Sequence, residues 1–380
     1  MEKQGSPVFS LFLKKCLREV IRMLSKNIED EITRLIHSKM LYYDVPGLNI
    51  MIASFNEILY SGGYGYRDVS AGLNTDKETL VYIASATKAF TALSCAILVE
   101  QGKLAWNRPL IEYIPSFETA DVYITQNATI VDLLSHRTGI KEFSILGQDG
   151  ISRSDLLAEL KNNPPSKPFR AVWQYNNSLY GVVGQIVEII SGESWEDFTK
   201  EHIFVPLEMT DSDFSFVLDW PHMNRSKLYV KQGSNIEIFV PPKTEINQYD
   251  ACGPAGSINS NALDMGKWLT FLLNRGAYRS KRLISKENFD MLTAPHCITD
   301  MEPESGKEHF STACYALGWV NQWYKGRHII WHNGSFGSFV SFLPNEQIGI
   351  SVVPNIDSPL GRELSYEIYD LLSSTVYNRV

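Results

Sequence analysis

After Lys88 the run AFTALSCAILV is apolar nearly all round and stops at Gln101-Gly102, which predicts a buried helix from Ala86 to Glu100 with a glycine cap. A second run, Leu179 to Ile190, places Val182, Val183, Ile186 and Val187 at helical spacing ahead of Gly192 and predicts another helix. Nearer the two ends the pattern changes to strands. Gly47 to Phe55, a turn at Asn56-Glu57, and Ile58 to Tyr66 predict a hairpin. Tyr315 to Trp323, Arg327 to Trp331, Ser338 to Leu343 and Ile348 to Pro354 predict four more strands, punctuated by Lys325-Gly326 and Pro344-Asn345. These join as one antiparallel sheet, with helices from Ile28 to Lys39 and from Leu360 to Leu372 covering a face. The fold class is α/β: an antiparallel sheet flanked by N- and C-terminal helices, with a mostly helical inserted lobe. The predicted division is an α/β lobe of about 27–85 plus 276–380, a helical lobe of about 86–275, and an extension at 1–26. Ser85 then falls at the seam between lobes, where pockets form.

The extension has its own pattern. Phe9, Phe12, Leu13, Cys16, Leu17, Val20, Ile21 and Leu24 mark one helical face, with Lys14, Lys15, Arg18 and Arg22 largely elsewhere. Such a helix could make peripheral membrane contact through residues 9–24, although packing on the domain or on a partner subunit is the commoner use of such a face. No cleavage site of small residues follows the short apolar piece Pro7 to Leu13, so the expected location is cytoplasmic. With 43 acidic against 35 basic residues the chain offers no electrostatic ground for nucleic acid as a partner. The expected partner is a small-molecule or short-peptide substrate. Five cysteines without C-x-x-C spacing imply neither a disulfide framework nor a zinc site, and Cys95 reads as core. His328 and His332, on one strand, stand about 13 Å apart, too far to share a metal. No cofactor is expected.

Three short strings carry the chemistry. Ser85-Ala86-Thr87-Lys88 puts a serine and a lysine three apart at a helix start, on one face, where they can share a proton. A lysine here is buried, and burial lowers its pKa and makes a base of it. Tyr175-Asn176-Asn177 lies in the loop entering the second helix, and His332-Asn333-Gly334-Ser335 lies between two strands, with the glycine where backbone must pass close to something. Any one of these strings alone is common in unrelated chains; in this order they are not.

The three strings resemble those of the penicillin-recognising serine hydrolases, in the branch holding class C β-lactamases, D-specific peptidases and related esterases. The likeness runs from about Asn27 to the C-terminus. Leu133-Leu134-Ser135-His136-Arg137-Thr138-Gly139 resembles the family's L-L-S-H-T-S-G, Phe204 to Met209 its F-x-P-L-G-M turn, and Gly253 to Ser257 with Asp264-Met265 its segment before a long helix. Arg137 and Glu208 replace small residues, which puts only local surface chemistry in doubt. The resemblance implies a β-lactamase/transpeptidase-like fold and an acyl-enzyme on Ser85, with Lys88 or the Tyr175 phenol taking its proton and the two working as a unit. It gives Asn177 the task of orienting the lysine and meeting the substrate's carbonyl, and makes an oxyanion hole of the Ser85 and Ser335 N–H groups. His332 stands where β-lactamases of this branch carry lysine, and an imidazole titrating near neutrality suits a more varied polar group. The expected function is a penicillin-binding, D-peptidase-like amide hydrolase with weak or no β-lactamase activity. A carboxylesterase or acyltransferase is the alternative within the class, and a slowly turning over penicillin sensor the alternative outside it.

Overall fold

Strand β1 (Gly47–Ser54) is buried along its whole length, because both of its faces are covered. Its side chains divide with the period of two. Leu48, Ile50 and Ile52 enter one core with Ile28, Ile32 and Ile36 of helix α1 (Lys26–Tyr43) and Leu360 and Leu364 of helix α5 (Leu360–Tyr377). Met51 and Ala53 enter the other core, with Met265, Leu269 and Leu272 of α4 (Ala262–Leu273) and the apolar residues of α2 (Lys88–Glu100) and α3 (Asn177–Ser191). The computed structural model describes residues 26–143, 151–214, 224–233, 235–240, 250–301 and 307–377. The amphipathic extension, its basic cluster and Cys16 lie outside the described residues, apart from Lys26.

The sheet has nine strands, in the order β4-β5-β6-β7-β8-β9-β1-β2-β3, and every neighbouring pair is antiparallel. After β1 come β2 (Ile58–Asp68) and β3 (Leu73–Asn74); β4 (Cys297–Ile298) to β9 (Ile348–Pro354) follow the helical middle, with β5 at Cys314–Tyr315, β6 at Val320–Tyr324, β7 at Arg327–Asn333 and β8 at Phe339–Leu343. The expected strand from Tyr315 to Trp323 is broken. Residues 316–319 turn out of the ladder, closed by Ala316 N–H on the Trp319 carbonyl, with Gly318 at φ +75°. A Cβ on Gly318 would stand 2.7 Å from the Lys88 carbonyl oxygen, so the break is where the sheet meets the start of α2.

The middle is less purely helical than its sequence suggests. Val81–Tyr82 pairs with Asn259–Ser260, and Tyr229–Gln232 with Asn235–Ile238. Helix α4, inside the stretch assigned to the helical lobe, packs on β1 and β9. Among the described residues no helix is long and apolar enough to cross a membrane.

Both departures from the family strings have structural work. Arg137 donates its Nε to the fully buried Asp132 at 2.7 Å, opposite Arg170, and reaches the His296 carbonyl. It is therefore the partner of a buried charge, and the surface-chemistry expectation is corrected. Glu208 ends its short helix at φ +61°, the left-handed cap for which a glycine is the unstrained choice.

Candidate active site

Ser85 stands in a single 3-10 turn, Ala84–Thr87, that leads into α2. The expected helix thus begins as this tighter turn and becomes α-helical at Lys88. Ala84 holds φ +49°, a conformation that costs an L-residue energy and persists only when neighbours enforce it. Here they do: Ile83 N–H bonds the Ile258 carbonyl, Ile258 N–H bonds Thr87 Oγ1 at 3.1 Å, and Ser338 Oγ donates to the Ile83 carbonyl at 2.8 Å. Ser85 itself remains half-buried and open to the cleft.

Lys88 is completely buried, and its Nζ has three neighbours: Asn177 Oδ1 at 2.7 Å, the Ala255 carbonyl at 2.8 Å and Ser85 Oγ at 3.2 Å. Burial lowers its pKa to about 7, against an opposing pull from the Glu142 carboxylate. The neutral amine then has two hydrogens and one lone pair. An amide oxygen and a carbonyl can only accept, so both hydrogens go to Asn177 and Ala255 and the lone pair is left facing the Ser85 hydroxyl. The three contacts therefore dictate which way a proton moves.

Asn177 is the first residue of α3, one place past the N-cap Asn176, whose side chain accepts from Leu179 N–H at 3.0 Å. Its Nδ2 donates to Glu142 Oε1 at 2.9 Å, which settles the amide's orientation and turns Oδ1 toward Lys88. Tyr175, in the loop before, has its ring centroid 4.8 Å from Lys88 Nζ. Burial holds its phenol well above the usual range. Behind it sits His136, with φ +57° and ring centroids 4.5 Å from Tyr175, 5.2 Å from Tyr180 and 4.8 Å from Tyr315. Its Nδ1 accepts from Asn176 N–H at 3.2 Å, so the neutral ring carries its proton on Nε2, which has no partner among the described residues.

The third string crosses from β7 toward β8. Gly334 is where the backbones come close: a Cβ there would meet Ser338 Oγ at 2.5 Å, and Ala84 Cβ and the Ile83 carbonyl oxygen at 2.8 Å. Exposed Ser335 follows, opening a 3-10 turn. The N–H groups of Ser85 and Ser335 both stand at the start of such turns, where no intrahelical acceptor exists. His332 differs from expectation. Its strand β7 lies between β6 and β8, although the β6 ladder stops at Trp331 and leaves His332 and Asn333 paired on one side only. Its side chain is 2% exposed; Nδ1 meets the Asn333 carbonyl at 2.5 Å and Nε2 the Tyr315 hydroxyl at 2.8 Å. Asn333 can only accept, so Nδ1 carries the proton and Tyr315 donates to Nε2. Burial and the nearby Lys88 push its pKa down to about 3, and the expectation of an imidazole titrating near neutrality is corrected. Past the strand end lies a cavity of about 230 Å³, lined by Asn333, Gly334, Ser338, Asp357, Ser358 and Arg362 among others; Ser85, Lys88 and Tyr175 are not among its lining residues.

The fold thus brings Ser85, Lys88 and Asn177 into one hydrogen-bonded group, with the Tyr175 ring beside Lys88 and Gly334 against the backbone just before Ser85. Sequence reasoning did not assign roles to Glu142, His136, Tyr315 or the Ala255 carbonyl. His136 and Ala255 stood inside strings already singled out. Nothing in the local pattern marked Glu142 or Tyr315, which reach the site only through the packing of distant segments.

The beta-lactamase family model matches residues 32–373, and the chain belongs to that family. It is 28% identical over 364 residues to the unguisins hydrolase ungD' of Aspergillus campestris, covering 90% of this chain and 65% of that protein. It is 25% identical over 347 residues to the protein flp of Staphylococcus aureus, covering 88% of this chain and 64% of the relative. The chain therefore spans less than two thirds of the length of these relatives. The fold is that of the octameric penicillin-binding protein homologue from Pyrococcus abyssi (TM-score 0.73, 24% identity, 86% of this chain and 73% of that one). It is also that of the class C beta lactamase from Rhodobacter sphaeroides (TM-score 0.70, 18% identity, 90% and 99%). The family match and the two solved structures agree on a β-lactamase-type fold.

Proposed function

We propose that the chain is a serine hydrolase that forms an acyl-enzyme on Ser85 and acts on small amides or short peptides next to a D-residue, with weak or no β-lactamase activity. The observation that carries this reading is the buried Lys88 amine, 3.2 Å from Ser85 Oγ, with its other two directions taken by acceptors. Ser85 Oγ bonds to the substrate carbonyl carbon while its proton passes to Lys88. The tetrahedral oxygen takes its charge between the Ser85 and Ser335 N–H groups, an arrangement worth about 3 kcal/mol per donor. The C–N bond then breaks, the amine leaves with the proton, and water releases the acyl group by the same route in reverse.

The elevated phenol of Tyr175 suits a neutral relay between Lys88, Ser85 and the leaving group better than the base itself, so the base role goes to Lys88. His332, with both nitrogens engaged inside the protein, fixes Tyr315 and the course of the Gly334 strand. An ester or acyl-transfer substrate uses the same machinery, and slow deacylation would make it a penicillin sensor.

Treatment with a fluorophosphonate and with a fluorescent penicillin, followed by intact mass and peptide mapping, tests the reading. The adduct is expected on Ser85 and absent in Ser85→Ala; an adduct that survives that substitution refutes it. Release of the penicilloyl group over minutes to hours separates hydrolase from sensor.

A further inference from the structure

Phe336 holds φ +60° and ψ 23°, the left-handed conformation that a bulky L-residue keeps only where its surroundings enforce it. Its position makes that matter. It follows Ser335 in the turn between β7 and β8, which Gly334 N–H closes on the Ser338 carbonyl at 2.8 Å and which Ser338 Oγ ties to the Ile83 carbonyl, just before the Ser85 turn. The ring is 9% exposed yet belongs to neither of the two cores. Among the described residues, the rings that meet it are those of Tyr82, edge-on with centroids 6.1 Å apart, and Phe239, with centroids 5.1 Å apart.

Phe239 extends the second strand of the hairpin formed by Tyr229–Gln232 and Asn235–Ile238. From 235 to 240 every other residue is exposed, so this ring is the strand's inward contact. Its N–H bonds the Leu228 carbonyl at 2.8 Å, and Tyr229 beside it bonds the Asn355 carbonyl and bridges to Ile356. The same segment backs the turn: a Cβ on Gly337 would stand 2.7 Å from the Ser358 carbonyl oxygen and 3.1 Å from that of Ile356. We infer that Phe239 is a positioning residue for the oxyanion hole: together with Tyr82 its ring keeps Phe336 left-handed, and so holds the Ser335 N–H in place relative to that of Ser85. Phe239 acts through Phe336 and not on the substrate, a role that rests on the reading of Ser85 as nucleophile.

The test compares burst rates of p-nitrophenyl acetate and of its thionoester, in which C=S replaces C=O. In both, Ser85 Oγ bonds to the same carbon, its proton passes to Lys88 and p-nitrophenolate leaves. Sulfur is a weak hydrogen-bond acceptor, so the oxyanion donors favour the oxygen ester. The ester-to-thionoester ratio therefore reads the oxyanion hole, and it cancels changes at Ser85 or Lys88 that touch both substrates alike. Phe239→Ala should lower the ratio about tenfold or more, a part of the roughly 10²–10³ that loss of a whole donor costs. Phe239→Tyr keeps the ring and should hold the ratio. Glycine takes the left-handed conformation freely, so adding Phe239→Ala to Phe336→Gly should leave the ratio of that variant where it was. A ratio unmoved in Phe239→Ala, an equal fall in Phe239→Tyr, or a further fall when Phe239→Ala is added to Phe336→Gly overturns the inference while fluorophosphonate labelling of Ser85 stands. Absence of labelling on Ser85 overturns the nucleophile reading itself, and the positioning role with it.

Discussion

If the Lys88 amine is the base, acylation should follow its ionisation. With a pKa of about 7, roughly one tenth of the lysine is free base at pH 6 and roughly nine tenths at pH 8; at its ordinary value of about 10.5 only about 3 molecules in 10,000 would be free at pH 7. Burial at this one side chain therefore multiplies the reactive form about a thousandfold at neutral pH. The assay is the burst rate of p-nitrophenyl acetate between pH 5.5 and 9.5, with Ser85→Ala subtracted to remove hydroxide attack. The rate should climb about tenfold per pH unit below the midpoint and level off above about pH 8, with no second inflection near 6.5, because His332 stays neutral throughout that range. Glu142 holds the lysine pKa up, so Glu142→Gln should move the midpoint toward acid. A rate that keeps rising to pH 9.5, or one that does not depend on pH, would refute the assignment of the base.

Two further predictions concern the supports of the site. Gly334→Ala places a methyl 2.8 Å from both Ala84 Cβ and the Ile83 carbonyl oxygen, so the strand must shift; displacement near 1 Å should cost about 100-fold in acylation, and a burst rate within threefold of the unaltered protein would contradict it. His136→Leu removes the acceptor for Asn176 N–H, whereas His136→Asn keeps an acceptor and tolerates the left-handed backbone. The leucine variant should lower kcat with less effect on KM and the asparagine variant should recover most of the loss; equal loss in both would show that ring packing, not the hydrogen bond, matters.

The sheet, its flanking helices and the two buried helices were legible because each rests on a local period: Ile28, Ile32 and Ile36 on one helical stripe, β8 and β9 as continuous apolar runs. Ser85, Lys88, Tyr175, Asn177 and Gly334 were legible as strings. What local pattern could not supply was anything made by approach of distant segments. Gly318 breaks a strand because Lys88 lies against it, and His332 loses its titration because Tyr315 and Asn333 close over it. Glu142 enters the site by way of an amide 35 residues away. Arg137 looked like surface because its partner, Asp132, lies five residues back and is buried by the fold.

The position of β1 has a consequence for how the chain is made. Residues 48–54 pair with 348–354, so β1 waits while about 300 further residues are made before its neighbour exists. At about 5–20 residues per second, that interval amounts to some tens of seconds in which β1 and β2 exist without their central neighbour. Pairings so distant along the chain fold slowly, and an exposed apolar hairpin is open to the wrong partners meanwhile. Ser85 and Lys88 share that wait, because Gly318 and Gly334, which hold their turn in place, belong to the same late segment. Chains halted before about residue 350 should therefore label with fluorophosphonate at background level, even with Ser85, Lys88, Tyr175 and His332 all present.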